Sequence, residues 1–453
     1  MATGTRWLMV PLETKVRELD GKALFAFSAA ERGWSTMLGR FSPHHRGQLP
    51  CGLWVLKGVP PGSVRSLRIL RDGGHRMVSW CEEGLVYHSV EDYARRKVEK
   101  AAWDLLDLFF AWGPHHARDL VEGIGCDGGR LLVTGHPRFD LLRPEYRRAF
   151  ADRAARLRRR HGPFILVNTK LNRYNSFFGT EWYANRMRTI HADDRAAADA
   201  DTAGCVEFQR QTFLGFIDAV RALSRRFPRT RVIVRPHPSE DHTPWRALAA
   251  ELPNVRVIFE GNVLEWLLAA AVTIQNNCTT AVESFLLGRP TLAYRPVRST
   301  PFDMALPNAV SASAFTLDSL LDLTSRALDG EPPRTPGGDA AALDTVRGYA
   351  TGVDGPSACE TILDAIEPLA VARSSGPLAP FDRQEADAAP LRGTERFYGA
   401  AGAARYQSYL EQKCDGLAPD HIVDFLETLR AVTGRFAGVR VTALDRDLLC
   451  ISA

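Results

Sequence analysis

Among 453 residues there is no CxxC pair and no histidine-rich spacing; the eight cysteines, at 51, 81, 126, 205, 278, 359, 414 and 450, stand singly. A structural metal framework needs thiolates or imidazoles at short, paired spacing, so no metal and no cofactor are expected. Isolated thiols suit a reducing cytosol. Long apolar runs are also missing: the longest, Trp266–Ile274, is about half of the ~20 residues that a membrane-spanning helix needs. The start, Met1-Ala-Thr-Gly-Thr-Arg-Trp-Leu-Met-Val-Pro11, enters a short strand pattern without the apolar stretch and cleavage site of a secretory signal. Neither sign of charge dominates, since 57 Lys and Arg against 53 Asp and Glu leave +4, which marks no nucleic-acid partner. A cytoplasmic globular protein is expected, too long for one core and therefore built from two domains with added structure.

What the sequence does contain is alternation. Trp7–Val10, Ser35–Leu38, Leu53–Leu56, Arg76–Cys81, Phe110–Trp112 and Leu131–Thr134 read as strands. Between them Gly21–Arg32, Val64–Asp72, Ala94–Phe109 and His115–Glu122 read as helices. Such β-α alternation predicts a parallel sheet with helices on both faces, a Rossmann-like domain over residues 1–142. A basic helix, 143–161, leads to a second series: strands at Phe164–Asn168, Arg231–Val234, from Val272 and at Thr291–Tyr294, and a helix at Gln209–Phe227. That series predicts a second Rossmann-like domain over 162–370, with His191–Gly204 and Gly330–Asp339 as loops. Residues 371–396, rich in Pro, Ser and Ala, read as a linker, and 397–453 as a helical extension with helices at Ala403–Lys413 and Pro419–Val432.

Side chains with chemistry to offer gather where strands end. His237 sits between Pro236 and Pro238, which stiffen the backbone on both sides, and an imidazole there can neutralise a departing phosphate. Arg235 offers a planar fork for phosphate. The plainer reading is that His237 only caps the strand end. Asn276-Asn277-Cys278-Thr279-Thr280 lies between a strand and a helix, where backbone N–H groups point at an anion; Asn277, Thr279 and Thr280 add side-chain partners, and Glu283 can accept both hydroxyls of a ribose. Thr280-Ala-Val-Glu283 equally has the spacing of a capping box.

In the first domain, Cys81-Glu82-Glu83-Gly84 ends a strand with two adjacent acids whose side chains diverge, so one of them at most enters a cleft as base or nucleophile. A solvated turn is the alternative. Glu13, Lys15 and Arg17 follow the first strand and would hold a carboxylate or an acceptor, or else form a salt-bridged helix start. His136-Pro137 reads as a hinge or cleft floor, and Asn168 and Lys170 as phosphate donors at the front of the second domain. The arginines of 147–160 suit peripheral contact with an anionic bilayer at the inner membrane face or, more plainly, a solvated helix face.

On these residues the chain resembles bacterial surface-polysaccharide biosynthesis proteins similar to GT-B transferases that use CMP-activated 2-keto sugar acids, among them the Kdo and sialic-acid-type transferases. The resemblance rests on Glu82-Glu83-Gly84, His237-Pro238, the run from Asn277 to Pro290 and the opening Pro11–Asp20, and covers about residues 7–300. It implies two Rossmann-like domains facing a cleft, a catalytic carboxylate among Glu82 and Glu83, and His237 with Pro238 on the CMP phosphate. Its implied partners are a nucleotide sugar and a glycan or lipid-linked acceptor. Two glutamates stand where the family mixes Asp and Glu, which leaves the catalytic one undecided. Three rivals remain: a CDP-polyol phosphotransferase with His136 as second histidine, a UDP-sugar transferase or epimerase, and a non-catalytic assembly protein.

Overall fold

The computed structural model describes residues 4–41, 45, 48–190, 195–331, 333–373 and 402–453. It divides into two compact units, Met1–Leu85 with Ser89–Ala149 and Gly348–Ala453, and Val86–His88 with Phe150–Arg347. Both are α/β. The first holds β1 (Thr5–Pro11), β2 (Trp34–Gly39), β3 (Leu53–Leu56), β4 (Arg76–Trp80), β5 (Leu108–Ala111) and β6 (Leu131–Val133). The second holds β7 (Phe164–Asn168), β8 (Arg231–Arg235), β9 (Val255–Val257), β10 (Val272–Gln275), β11 (Thr291–Tyr294) and β12 (Ala312–Ala314). The chain then returns to the first unit with β13 (Ala372–Arg373), β14 (Arg440–Asp445) and β15 (Leu448–Ser452).

In the first unit the order is β14-β15-β2-β1-β3-β4-β5-β6, with β13 pairing the start of β1. β1 to β6 run parallel, and β15 adds antiparallel to β2. The helix Lys15–Glu31 is buried from Glu18 to Ala30, because the short helix Pro137–Asp140, the helix Ala358–Ile366 and the helix Pro419–Thr433 all pack on it. A helix buried all round is normally apolar. This one carries Glu18, Asp20 and Lys22 into the interior.

The second sheet, β12-β11-β10-β7-β8-β9, is wholly parallel. Phe164 to Asn168 are all buried, as expected of a strand covered on both faces. The helix Arg195–Arg226 lays Phe213, Phe216, Val220 and Leu223 against it at helical spacing, with Trp245 and Leu248 from the helix Thr243–Glu251 filling the same core. β7 is followed by β8 and β9 on one side, then by β10 to β12 on the other, so the order reverses between β7 and β10.

Several expectations are corrected. The long helix over Ala94–Phe109 is two short ones, Val90–Lys97 and Lys100–Trp103, because Val98 turns extended and bridges Val59. Within His191–Gly204, expected as a loop, residues 195–204 begin the long helix, which their alanines favour; 191–194 lie outside the described residues. The basic run Ala151–His161 lies within the second compact unit, which extends to Arg347. Of the expected linker, 372–373 form β13 and 374–396 lie outside the described residues. The C-terminal extension is helical only to Thr433 and finishes as a β-hairpin. Among the described residues, no helix is long and apolar enough to cross a membrane.

Candidate functional site

At the carboxyl edge of the second sheet, the ends of β7, β8 and β10 carry Asn168, His237 and Thr280. Across the reversal between β7 and β10, Asn168 Nδ2 donates to Thr280 Oγ1 at 3.1 Å. Asn168 is 3% exposed, and its buried Oδ1 has no hydrogen-bond partner among the described residues. Thr279 and Thr280 are half-buried. Lys170 and Glu283 both act electrostatically on Cys278, Lys170 lowering and Glu283 raising its thiol pKa, while burial pushes the thiol up overall. Asn168 and Thr280 thus meet across the sheet's reversal, within electrostatic reach of Lys170 and Glu283. The helix Thr280–Leu286 is capped by Thr279, whose side chain makes no capping bond, so the expected Thr280–Glu283 box is not how this helix starts.

His237 is half-buried, and Ser239 N–H donates to its Nδ1 at 3.1 Å, which assigns the ring proton to Nε2 in the neutral form. Glu240, three residues on, is fully buried and accepts from Thr169 Oγ1, the Leu171 N–H, Asn175 Nδ2, Trp245 Nε1 and the His237 N–H. One carboxylate therefore fixes the loop after β7, the turn after β8 and the following helix. Burial pushes its pKa up despite these donors.

Two expected phosphate ligands have other partners. Arg235 donates through Nη1 to Glu260 O (2.6 Å) and through Nη2 to Gly261 O (2.7 Å), and lies over the Phe259 and Trp266 rings. Its terminal nitrogens hold a loop, and burial lowers its pKa to about 10. Asn277, at φ 52°, donates to Phe302 O (3.2 Å) and accepts from the Met304 N–H (2.8 Å), so it pins the loop after β11.

In the first unit the strand ends hold an interior ion network. Lys22 Nζ donates to Pro11 O (2.6 Å), Glu18 Oε2 (2.8 Å) and Glu82 Oε1 (2.9 Å), and Trp80 Nε1 also donates to Glu82 Oε1 (3.0 Å). Glu82 Oε2 lies 3.5 Å from His136 Nε2. Burial opposes the charge on Glu82, but Lys22 holds its carboxyl well below the usual range. His136 is stacked on Trp112 at 4.3 Å, edge-on to Trp80, and pulled down to about 3 by burial, so it is neutral. Its Nδ1 accepts the Arg138 N–H at 3.1 Å, the same bond that His237 makes with Ser239.

Glu83 points the other way, its side chain 46% exposed and paired with Lys97 and, at 3.9 Å, Arg17. The acidic pair diverges, but from a turn: β4 ends at Trp80, short of the expected Cys81, and both glutamates follow it. Gly84 must be glycine here, because a Cβ would stand 2.4 Å from His116 Cε1 and 2.8 Å from Trp112 Cδ1. Glu13 pairs with Lys57 and Lys413, Lys15 with Asp415 at 2.7 Å, and Arg17 with Glu18 at 3.2 Å. The salt-bridged reading of this helix start describes them.

No family model matches the sequence, and no curated protein does either. Solved structures do match in shape. A histidine-to-alanine variant of the wall teichoic acid polymerase TagF is 12% identical, with a TM-score of 0.51, over 80% of this chain and 88% of that one. A histidine-to-asparagine variant of TagF soaked with CDPG, also 12% identical over the same shares, gives 0.50. The fold is GT-B-like. The Methanocaldococcus jannaschii UDP-GlcNAc 2-epimerase in complex with UDP-GlcNAc and UDP superposes more loosely, at 0.44 and 12% identity over 76% of this chain and all of that one.

Sequence reasoning missed Glu240, Lys22, Glu18, Lys57 and Lys413. Glu240 had a usable signal, an acid one turn past His-Pro. Glu18 and Lys22 had another, an i,i+4 pair just before the apolar run Ala23–Phe27 of the same helix. Lys413 reaches Glu13 from 400 residues away, and no local pattern announces that.

Proposed function

We propose that the chain is a surface-glycan transferase that uses a cytidine-nucleotide donor and releases CMP. The bond from Asn168 to Thr280 across the strand-order reversal carries the reading, because ligands of α/β sheets bind outside the carboxyl ends at that point. Asn168, Lys170, Thr279 and Thr280 take the phosphate, and Glu283 the ribose hydroxyls. His237, with its proton on Nε2, donates to the phosphate oxygen that gains charge as the donor bond breaks. Glu240 keeps the imidazole in place. Glu83, exposed where Glu82 is interior, is the acid with access to an acceptor hydroxyl.

Support for cytidine comes from the fold likeness to TagF, one form of which was soaked with CDPG, and from the resemblance to CMP-sugar transferases. Both donor classes leave CMP. In a CMP-activated sugar acid the anomeric C–O bond breaks; in a CDP-linked polyol the pyrophosphate P–O bond breaks and the polyol phosphate is transferred. One observation favours the CDP-linked donor: Lys15 and Arg17, expected to hold a donor carboxylate, already pair with Asp415 and Glu18. The test is chromatographic detection of nucleotide product from CDP-linked polyols, CMP-sugar acids and UDP-GlcNAc with a glycan acceptor. CMP formation supports the proposal, whereas UDP formation without CMP overturns it. His237→Ala is expected to lower turnover by about 10²–10⁴-fold with an unchanged melting temperature.

A further inference from the structure

A second concentration of charge lies at the opposite end of the same sheet. All six strands of the second unit are parallel, so their amino ends form one edge and their carboxyl ends, which carry Asn168 and His237, the other. Arg158, Arg159 and Arg160 precede β7; Arg225, Arg226 and Arg229 precede β8; Arg231 opens β8, and Arg256 lies in β9. These three strands are neighbours in the sheet. Direct contacts join their starts: Arg231 Nη1 donates to Arg160 O at 3.0 Å, and Asn254 Nδ2 donates to Phe227 O (3.0 Å) and Thr230 O (2.8 Å). All eight arginines are exposed. Among the described residues the only ion pair any of them makes is Arg160 with Glu260, at 3.7 Å.

Seven uncompensated guanidinium groups on one edge of a chain with a net charge of only +4 are a strong local departure from its mixed surface. Their layout selects the partner. They are spread over three adjacent strand starts at the end of a sheet rather than along one groove-entering helix, and so match a broad anionic plane better than the curved track of a duplex. We infer that this edge docks on an anionic bilayer surface. Docking here turns the carboxyl edge of the same sheet, with Asn168 and His237, away from the bilayer.

The experiment is sedimentation of the full chain with vesicles of phosphatidylcholine alone or with about a third phosphatidylglycerol, at low and at ~0.5 M salt. The expected result is binding to the phosphatidylglycerol vesicles only, lost at high salt. The triple variant Arg225→Glu, Arg226→Glu, Arg229→Glu should bind at least about a hundredfold more weakly, at roughly fivefold per arginine near an anionic leaflet. Among the described residues these side chains make no hydrogen bond or ion pair, and Arg226 only stacks on the Phe227 ring, so the melting temperature should fall by no more than a few degrees while binding is lost. Equal binding to both vesicle types, no binding by the wild type, or an unaffected variant overturns the proposal. So does displacement from vesicles by an equimolar amount of duplex DNA, which assigns the edge to nucleic acid.

Discussion

At the scale of single residues, buried charge organises both units, and its partners decide what each group can do. Glu240 satisfies five donors from three segments, so Glu240→Ala should destabilise the second unit by about 3–5 kcal/mol in urea unfolding. A cost below ~1 kcal/mol would show that the network is not needed. In the first unit His116 and His136 are each pulled down to about 3 by burial. Between pH 6.5 and about 3 the unfolded chain binds protons that these two folded imidazoles refuse, so stability falls as pH falls through that window. Glu82, held low by Lys22, adds loss in the same direction at the acid end, whereas Asp140, raised to about 6 by burial, opposes it. The urea midpoint should therefore be lower at pH 5 than at pH 7.5; an equal or higher midpoint at pH 5 contradicts the assignment. The places of His237 just past a strand end and of Glu283 in the first turn of a helix were legible, because strand, turn and helix patterns follow one another there. Arg235 misled, because a strand-end arginine that binds carbonyls has the same local sequence as one that binds phosphate.

Among elements, most strands of the parallel sheets could be read from the sequence. β3, β7 and β11 lie where the apolar runs place them, since a strand covered on both faces is a short unbroken apolar segment. The interruption at Val98 was invisible, because it depends on a bridge to Val59 that no local pattern encodes. The closing hairpin was missed for a related reason: β14 is half polar, and β15 pairs with β2, some 400 residues earlier. Leu448, Leu449 and Ile451 are completely buried in that pairing. Truncation after Gly434 should uncover β2 as a bare edge and turn the chain aggregation-prone, read as loss of the soluble monomer by size-exclusion chromatography. A truncated chain that stays monomeric and melts unchanged would show the hairpin to be dispensable.

For the whole molecule, one wholly parallel sheet and one with a parallel core carry the GT-B-like reading. The chain crosses into the second unit near Phe150 and returns at Gly348 to finish the first, a route that depends on long-range packing such as the Asp140 carboxylate accepting the Ala358 and Cys359 N–H groups. The nucleotide class is the central claim, and thermal unfolding with CMP, CDP, UDP and GDP tests it most directly, in the wild type and in an Asn168→Ala, Thr280→Val variant. At about 100 times its dissociation constant a ligand adds roughly 2.7 kcal/mol, a clear rise in midpoint. The account predicts that the cytidine nucleotides raise the wild-type midpoint most and that the variant loses the rise; no cytidine response, or the same response in the variant, would contradict it.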